Sequence, residues 1–123
     1  MIQATVKVDL SPQKIDEALQ ILRSIIERIR AEAGCISCSV YQDTEDEQII
    51  VLDEKWRSDE DLQRHLRSEE YKKVLLVMEM ARTPPDIRFE TITSTRGVET
   101  IEKARTGKTK KVNEKPDTSD GGE

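Results

Sequence analysis

The chain has 123 residues, a formal charge of −5 and 37% charged residues, which describes one soluble domain and excludes a membrane span, since no apolar run approaches the ~20 residues a bilayer requires. Aromatic residues make up 3%, so with an acidic balance there is no basic stripe or stacking platform for nucleic acid. The start, Met1 to Thr5, lacks the layout of a secretion signal, and the cytoplasm is the expected compartment. Two cysteines and one histidine build neither a disulfide framework nor a closed zinc site, so no metal is expected.

From Ile2 to Leu10 apolar and polar residues alternate, the period of a half-buried strand. Ser11-Pro12 offers an N-cap followed by proline at the first helical position. Ile15, Ala18, Leu19, Leu22, Ile25, Ile26 and Ile29 then repeat at helical spacing up to Gly34. Cys35–Gln42 and Gln48–Trp56 read as two strands of a hairpin joined by the acidic turn Asp43 to Glu47. That turn lacks the spacing and the glycine of a calcium loop.

Ser58 followed by Asp59, Glu60 and Asp61 marks a helix start, because carboxylates favour the positive end of the helix dipole. A break near Ser68 divides this segment into two helices, the second carrying Tyr71, Val74, Leu75, Met78 and Ala81. Thr83-Pro84-Pro85 ends it, and Asp86 to Thr93 reads as a fourth strand. The order β-α-β-β-α-β predicts an α+β, ferredoxin-like domain with an antiparallel sheet and its helices on one face. Ile49 to Leu52 is apolar at both parities, so the second face of the third strand calls for a cover, and a homodimer supplies one. The domain is expected over 1–95 and a polar, partly disordered tail over 96–123, in which Val98 to Ala104 forms a short helix or strand.

Cys35-Ile36-Ser37-Cys38 has CxxC spacing, but it opens a strand, where a separation of three places the sulfurs on opposite faces; two small packed side chains are expected. Thr106-Gly107-Lys108-Thr109 imitates the end of a phosphate loop, yet Glu102 stands where that motif has its first glycine. His65 lies on the apolar side of its helix beside Leu62 and Leu66 and is the one imidazole available as an acid or base near neutrality. The alternative for His65 is a partly buried ring bonded to a carbonyl or carboxylate. Trp56 shares a strand face with Leu52 and Glu54 and serves either as core or as a stacking wall for a planar ligand.

Gly34 to Asp43 with its Tyr41-Gln42-Asp43 turn, Glu54-Lys55-Trp56-Arg57-Ser58, and His65-Leu66-Arg67-Ser68 together resemble the antibiotic biosynthesis monooxygenase family over residues 1 to about 95. The resemblance implies a dimeric α+β barrel of ferredoxin-like subunits. It also implies a cofactor-independent monooxygenase, in which a quinol or other small aromatic is oxidised by molecular oxygen and itself supplies the electrons. His65 would be the catalytic base and Trp56 the stacking residue, with Leu52, Leu62, Leu66, Met78 and Phe89 around the substrate. Leu52 and Leu62 replace the asparagine and tyrosine of polyketide-oxidising members. Leu75 stands where the heme-degrading branch has its axial histidine, so heme is not an expected cofactor. The alternative is a non-catalytic dimer that binds a small molecule or serves assembly with the same fold.

Overall fold

The computed structural model describes residues 1–107. Residues 1–91 form one compact unit, and among the described residues those from Ile92 to Gly107 belong to another. The first unit contains β1 (Ile2–Asp9), α1 (Ile15–Arg30), β2 (Cys35–Gln42), β3 (Ile49–Trp56), α2 (Asp59–Leu66), α3 (Glu69–Met80) and β4 (Asp86–Thr91). Four strands make an antiparallel sheet in the order β2-β3-β1-β4, the ferredoxin-like arrangement expected from the chain order.

Register explains which side chains are buried. Val8, Val6, Ala4 and Ile2 of β1 stand opposite Ile50, Leu52, Glu54 and Trp56 of β3. All but Ile2 are buried, beneath Leu22, Ile25 and Ile29 of α1, Leu62 of α2 and Val74 and Val77 of α3. Strand pleating sends Ile49, Val51, Asp53 and Lys55 to the opposite face, where they are only half covered. The helices stop short of β4. Ile87 and Phe89, paired with Val6 and Ala4 on the helix side of the sheet, remain 42% and 47% exposed.

Local chemistry departs from the sequence pattern in two places. Ser11 makes no side-chain cap, and Pro12–Lys14 form a single 3-10 turn ahead of α1. Proline presets the backbone angle for that turn without needing a hydrogen-bonding serine. At the start of β2 the pairing slips by one residue between Cys35 and Ser37, so that Cys35 faces Trp56 and Cys38 faces Glu54. This bulge cancels the odd spacing and places both cysteines on the buried face, not on opposite faces. Cys38 is buried and Cys35 half-buried.

Gly34 ties the end of α1 to the beginning of α2. Its φ of +82° is a left-handed conformation that disfavours any side chain. Its carbonyl accepts the Arg57 amide at 2.8 Å, and a β-carbon there would run into the Asp61 carboxylate. Asp61 in turn accepts from Ser58 Oγ at 2.9 Å and Arg64 at 2.8 Å. These hydrogen bonds hold its carboxyl below the ordinary range, that from Arg64 most strongly.

The second unit contains α4 (Val98–Thr106), which ends at Gly107 with φ +76°. Gly97 N–H donates to the Glu99 carboxylate at 2.9 Å, and Val98 and Ile101 are exposed. The helix alternative for Val98 to Ala104 is therefore the one adopted. The polar end from Asp117 to Glu123, and Lys108-Thr109 of the phosphate-loop imitation, lie outside the described residues.

Candidate functional site

A chain of buried polar groups runs between the end of α1 and the centre of the sheet. Ser58 caps α2 by accepting the Asp61 amide at 3.2 Å, and Ser68 caps α3 by accepting the Tyr71 amide at 3.3 Å. Ser68 also donates its hydroxyl to the His65 carbonyl at 2.7 Å. His65 therefore occupies the last turn of α2, where the helix dipole favours a cationic ring, and its backbone is fixed by the first turn of the next helix.

The imidazole has no exposed surface. Its Nδ1 lies 2.9 Å from Glu32 Oε1, in the turn between α1 and β2. Its Nε2 lies 3.2 Å from both oxygens of Glu54, on the inward face of β3. Trp56 Nε1–H donates to Glu54 Oε1 at 3.0 Å. The indole also stacks on the imidazole with centroids 4.4 Å apart and planes 27° from parallel. Tyr71 meets the same imidazole edge-on at 5.2 Å. Four residues from three separate stretches of chain thus form one array, Glu32–His65–Glu54–Trp56.

The electrostatics follow from this geometry. Burial works against a charged His65, but hydrogen bonding to Glu54 and the charges of Glu54 and Glu32 outweigh it and hold the imidazole above its ordinary range. Burial raises Glu32 as well, with only part of the effect offset by His65. Burial, reinforced by Glu54, pushes Cys38 up to about 12 and raises Cys35. Both thiols are held in the unreactive protonated form. Burial and then Glu54 push Tyr71 to about 12.

The structure brings His65 and Trp56 together, but in contact with one another. Trp56 is fully buried and His65 covers one face of its indole, so it offers no open wall to a ligand. Between sheet and helices there is a void of about 10 Å³ lined by Val6, Val8, Leu22, Ile50, Leu52, Val74 and Val77, room for one water at most. Of the five expected pocket residues only Leu52 borders it. Leu62 is buried core, Leu66 and Met78 are half-buried, and Phe89 is an exposed side chain of β4. A larger groove of about 390 Å³ lies outside the core, along α1 and β2, lined by residues that include Leu19, Arg23, Ile26 and Tyr41. Among the described residues no group of three or more histidine, cysteine or acidic side chains is placed to hold a metal ion, and no helix is long and apolar enough to cross a membrane.

The two carboxylates were not singled out by sequence. Glu54 gave a signal, because it stands on the buried parity of β3 between Leu52 and Trp56, and a carboxylate there requires a partner. Glu32 gave none, since nothing in a turn sequence reports that its side chain folds back under the next helix.

The array sets the sign of a pH effect. A histidine raised above its unfolded value of 6.5 stabilises the fold fully below that value and loses the contribution as pH rises through the folded value. Glu32, also raised, acts in the same direction, because the folded state resists its ionisation. The melting temperature is expected to fall by several degrees between pH 6 and pH 8, and His65→Gln to flatten that slope. A wild-type melting temperature that is level or rising over this interval contradicts the array.

Comparison with known proteins places the chain. The model of the antibiotic biosynthesis monooxygenase family matches residues 1–75. A Synechocystis sp. protein, sll1783, is 31% identical over 61 residues, which are 50% of this chain and 42% of that protein. A conserved protein from Methanosarcina mazei superposes with a TM-score of 0.68 at 30% identity, covering 72% of this chain and 89% of its own. Rv0793 from Mycobacterium tuberculosis gives 0.71 at 23% identity, covering 78% and 98%. With the family pattern matched over more than half its length and the ferredoxin-like sheet in place, this chain belongs to the antibiotic biosynthesis monooxygenase family.

Proposed function

We propose that the chain forms a cytoplasmic homodimer that oxidises a small phenol or quinol with molecular oxygen, without metal, flavin or heme. One observation carries the reading: a fully buried imidazole held between two carboxylates and stacked on a tryptophan. Perturbed titratable groups gathered in a shielded place are what proton-transfer chemistry requires. The phenolic O–H breaks, its proton passes to the carboxylate–imidazole array, and the phenolate gives one electron to oxygen far more readily than the phenol does. Recombination of the phenoxyl radical with superoxide forms a carbon–oxygen bond, and the array returns its proton to the peroxide so formed. Loss of water from the resulting hydroperoxide leaves a hydroxylated quinone, so that a hydroquinone and O2 become a hydroxyquinone and H2O.

The void of about 10 Å³ between sheet and helices is too small for an aromatic ring, so this reading requires side chains around the array to give way to the substrate. That same close packing, with a void of about 10 Å³, favours a second reading, a non-catalytic binding or assembly dimer. An oxygen electrode separates the two. Uptake with a hydroquinone panel, rising with pH as the array gives up its proton, is the expected result. No uptake above the uncatalysed rate with any member, under conditions where the protein remains folded, leaves the second reading.

The dimer rests on the open face of the sheet. Ile49 and Val51 are half covered, and Tyr41, opposite Val51, is 55% exposed. An apolar strip in the middle of a sheet face calls for burial against a second copy. Light scattering at micromolar concentration is expected to give twice the mass of the 14.1 kDa chain; the mass of a single chain overturns the dimer.

A further inference from the structure

The proposed oxidation needs a base that meets the substrate, and the geometry points to Glu32, not His65, as that base. This inference rests on the oxidative reading above. Both imidazole nitrogens are already turned to carboxylates, Nδ1 to Glu32 at 2.9 Å and Nε2 to Glu54 at 3.2 Å. An imidazolium donates to both carboxylates, leaving no lone pair for an incoming phenol. Glu54 is closed off in the same way. Its Oε1 takes the indole N–H at 3.0 Å, both its oxygens face Nε2, and the residue is 2% exposed.

Glu32 differs from the other members of the array. Its Oε1 holds Nδ1, while Oε2 is shielded and has no hydrogen-bond partner among the described residues. Its side chain is 20% exposed, whereas those of His65 and Glu54 are at 0% and 3%. Glu32 therefore carries the array's one uncommitted acceptor atom, itself shielded, on the most exposed side chain of the four. The groups around it are His65 on α2, Glu54 on β3, Glu70 on α3 and Cys35 on β2. Glu70 lies 4.0 Å from Arg28, which partly balances its charge.

The step is a single proton transfer. The phenolic O–H breaks as an O–H bond forms at Oε2, and the phenolate keeps the electron pair of the broken bond, from which one electron then passes to oxygen. His65 stays protonated and acts as a positioning residue, holding the carboxylate in place and offsetting its charge. Glu54 and Trp56 hold His65 in turn.

Two measurements test this assignment. In the unmodified protein, 15N NMR of the His65 ring at pH 7 is expected to show both nitrogens protonated; one bare nitrogen overturns the assignment whether or not a substrate is known. In oxygen uptake, Glu32→Gln is expected to lose about 100-fold or more in kcat and the rising limb of the pH profile. His65→Gln retains more activity and keeps a limb, displaced in pH. Glu32→Gln with activity within a few-fold of wild type overturns the role of Glu32 and leaves the oxidative reading standing. Wild-type protein without uptake removes that reading and this one together. Should Glu32→Gln fail to fold, the NMR result on the unmodified protein decides.

Discussion

A carboxylate buried in the middle of a sheet is the constraint from which the rest of this structure follows. Glu54 lies on the core face of β3, flanked by Leu52 and Trp56, and cannot remain charged there without donors. The indole N–H supplies one and the His65 ring another. His65 in turn draws Glu32 inward from the α1–β2 turn. Removing one partner of a buried pair typically costs ~3–5 kcal/mol, because it strands a charge. The array therefore fixes geometry, whatever its net contribution to stability.

Much of the surrounding local structure serves to deliver these side chains. Ser58 caps α2, which carries His65, and Ser68 caps α3, which follows it. Gly34, in its left-handed conformation, lets the turn bearing Glu32 lie against Asp61 at the start of α2. Ala4, the residue opposite Glu54 on β1, is small enough to leave the centre of the sheet free for the Glu54 and Trp56 side chains. Gly34, Ser58 and Ser68 belong to the motifs by which the chain resembles its family, and each has a local physical reason to be where it is.

Strands, helices and their order were legible because they depend on periodicity, which every residue of an element repeats. Features set by one residue were harder to read. The bulge after Cys35 shifts a single hydrogen-bond pairing and reverses the parity on which the facing of the two cysteines depends. His65 and Trp56 were legible as a pair of interest. Their contact was not, because it joins residues on different elements, and that contact removes the flat wall expected of Trp56. The apolar residues expected to surround a substrate have the right character but scatter from buried Leu62 to exposed Phe89. Hydrophobicity says that a residue prefers to be covered and not what covers it.

The central claim is that Glu54 and His65 are charged partners in the core, and a double-mutant cycle in urea at pH 6.5 tests it most directly. Glu54→Gln keeps an acceptor for the Trp56 N–H while removing the charge, and His65→Leu removes the cation. The double variant is expected to be less destabilised than the sum of the singles by about 1–3 kcal/mol. Effects that add to within about 0.5 kcal/mol would contradict the account.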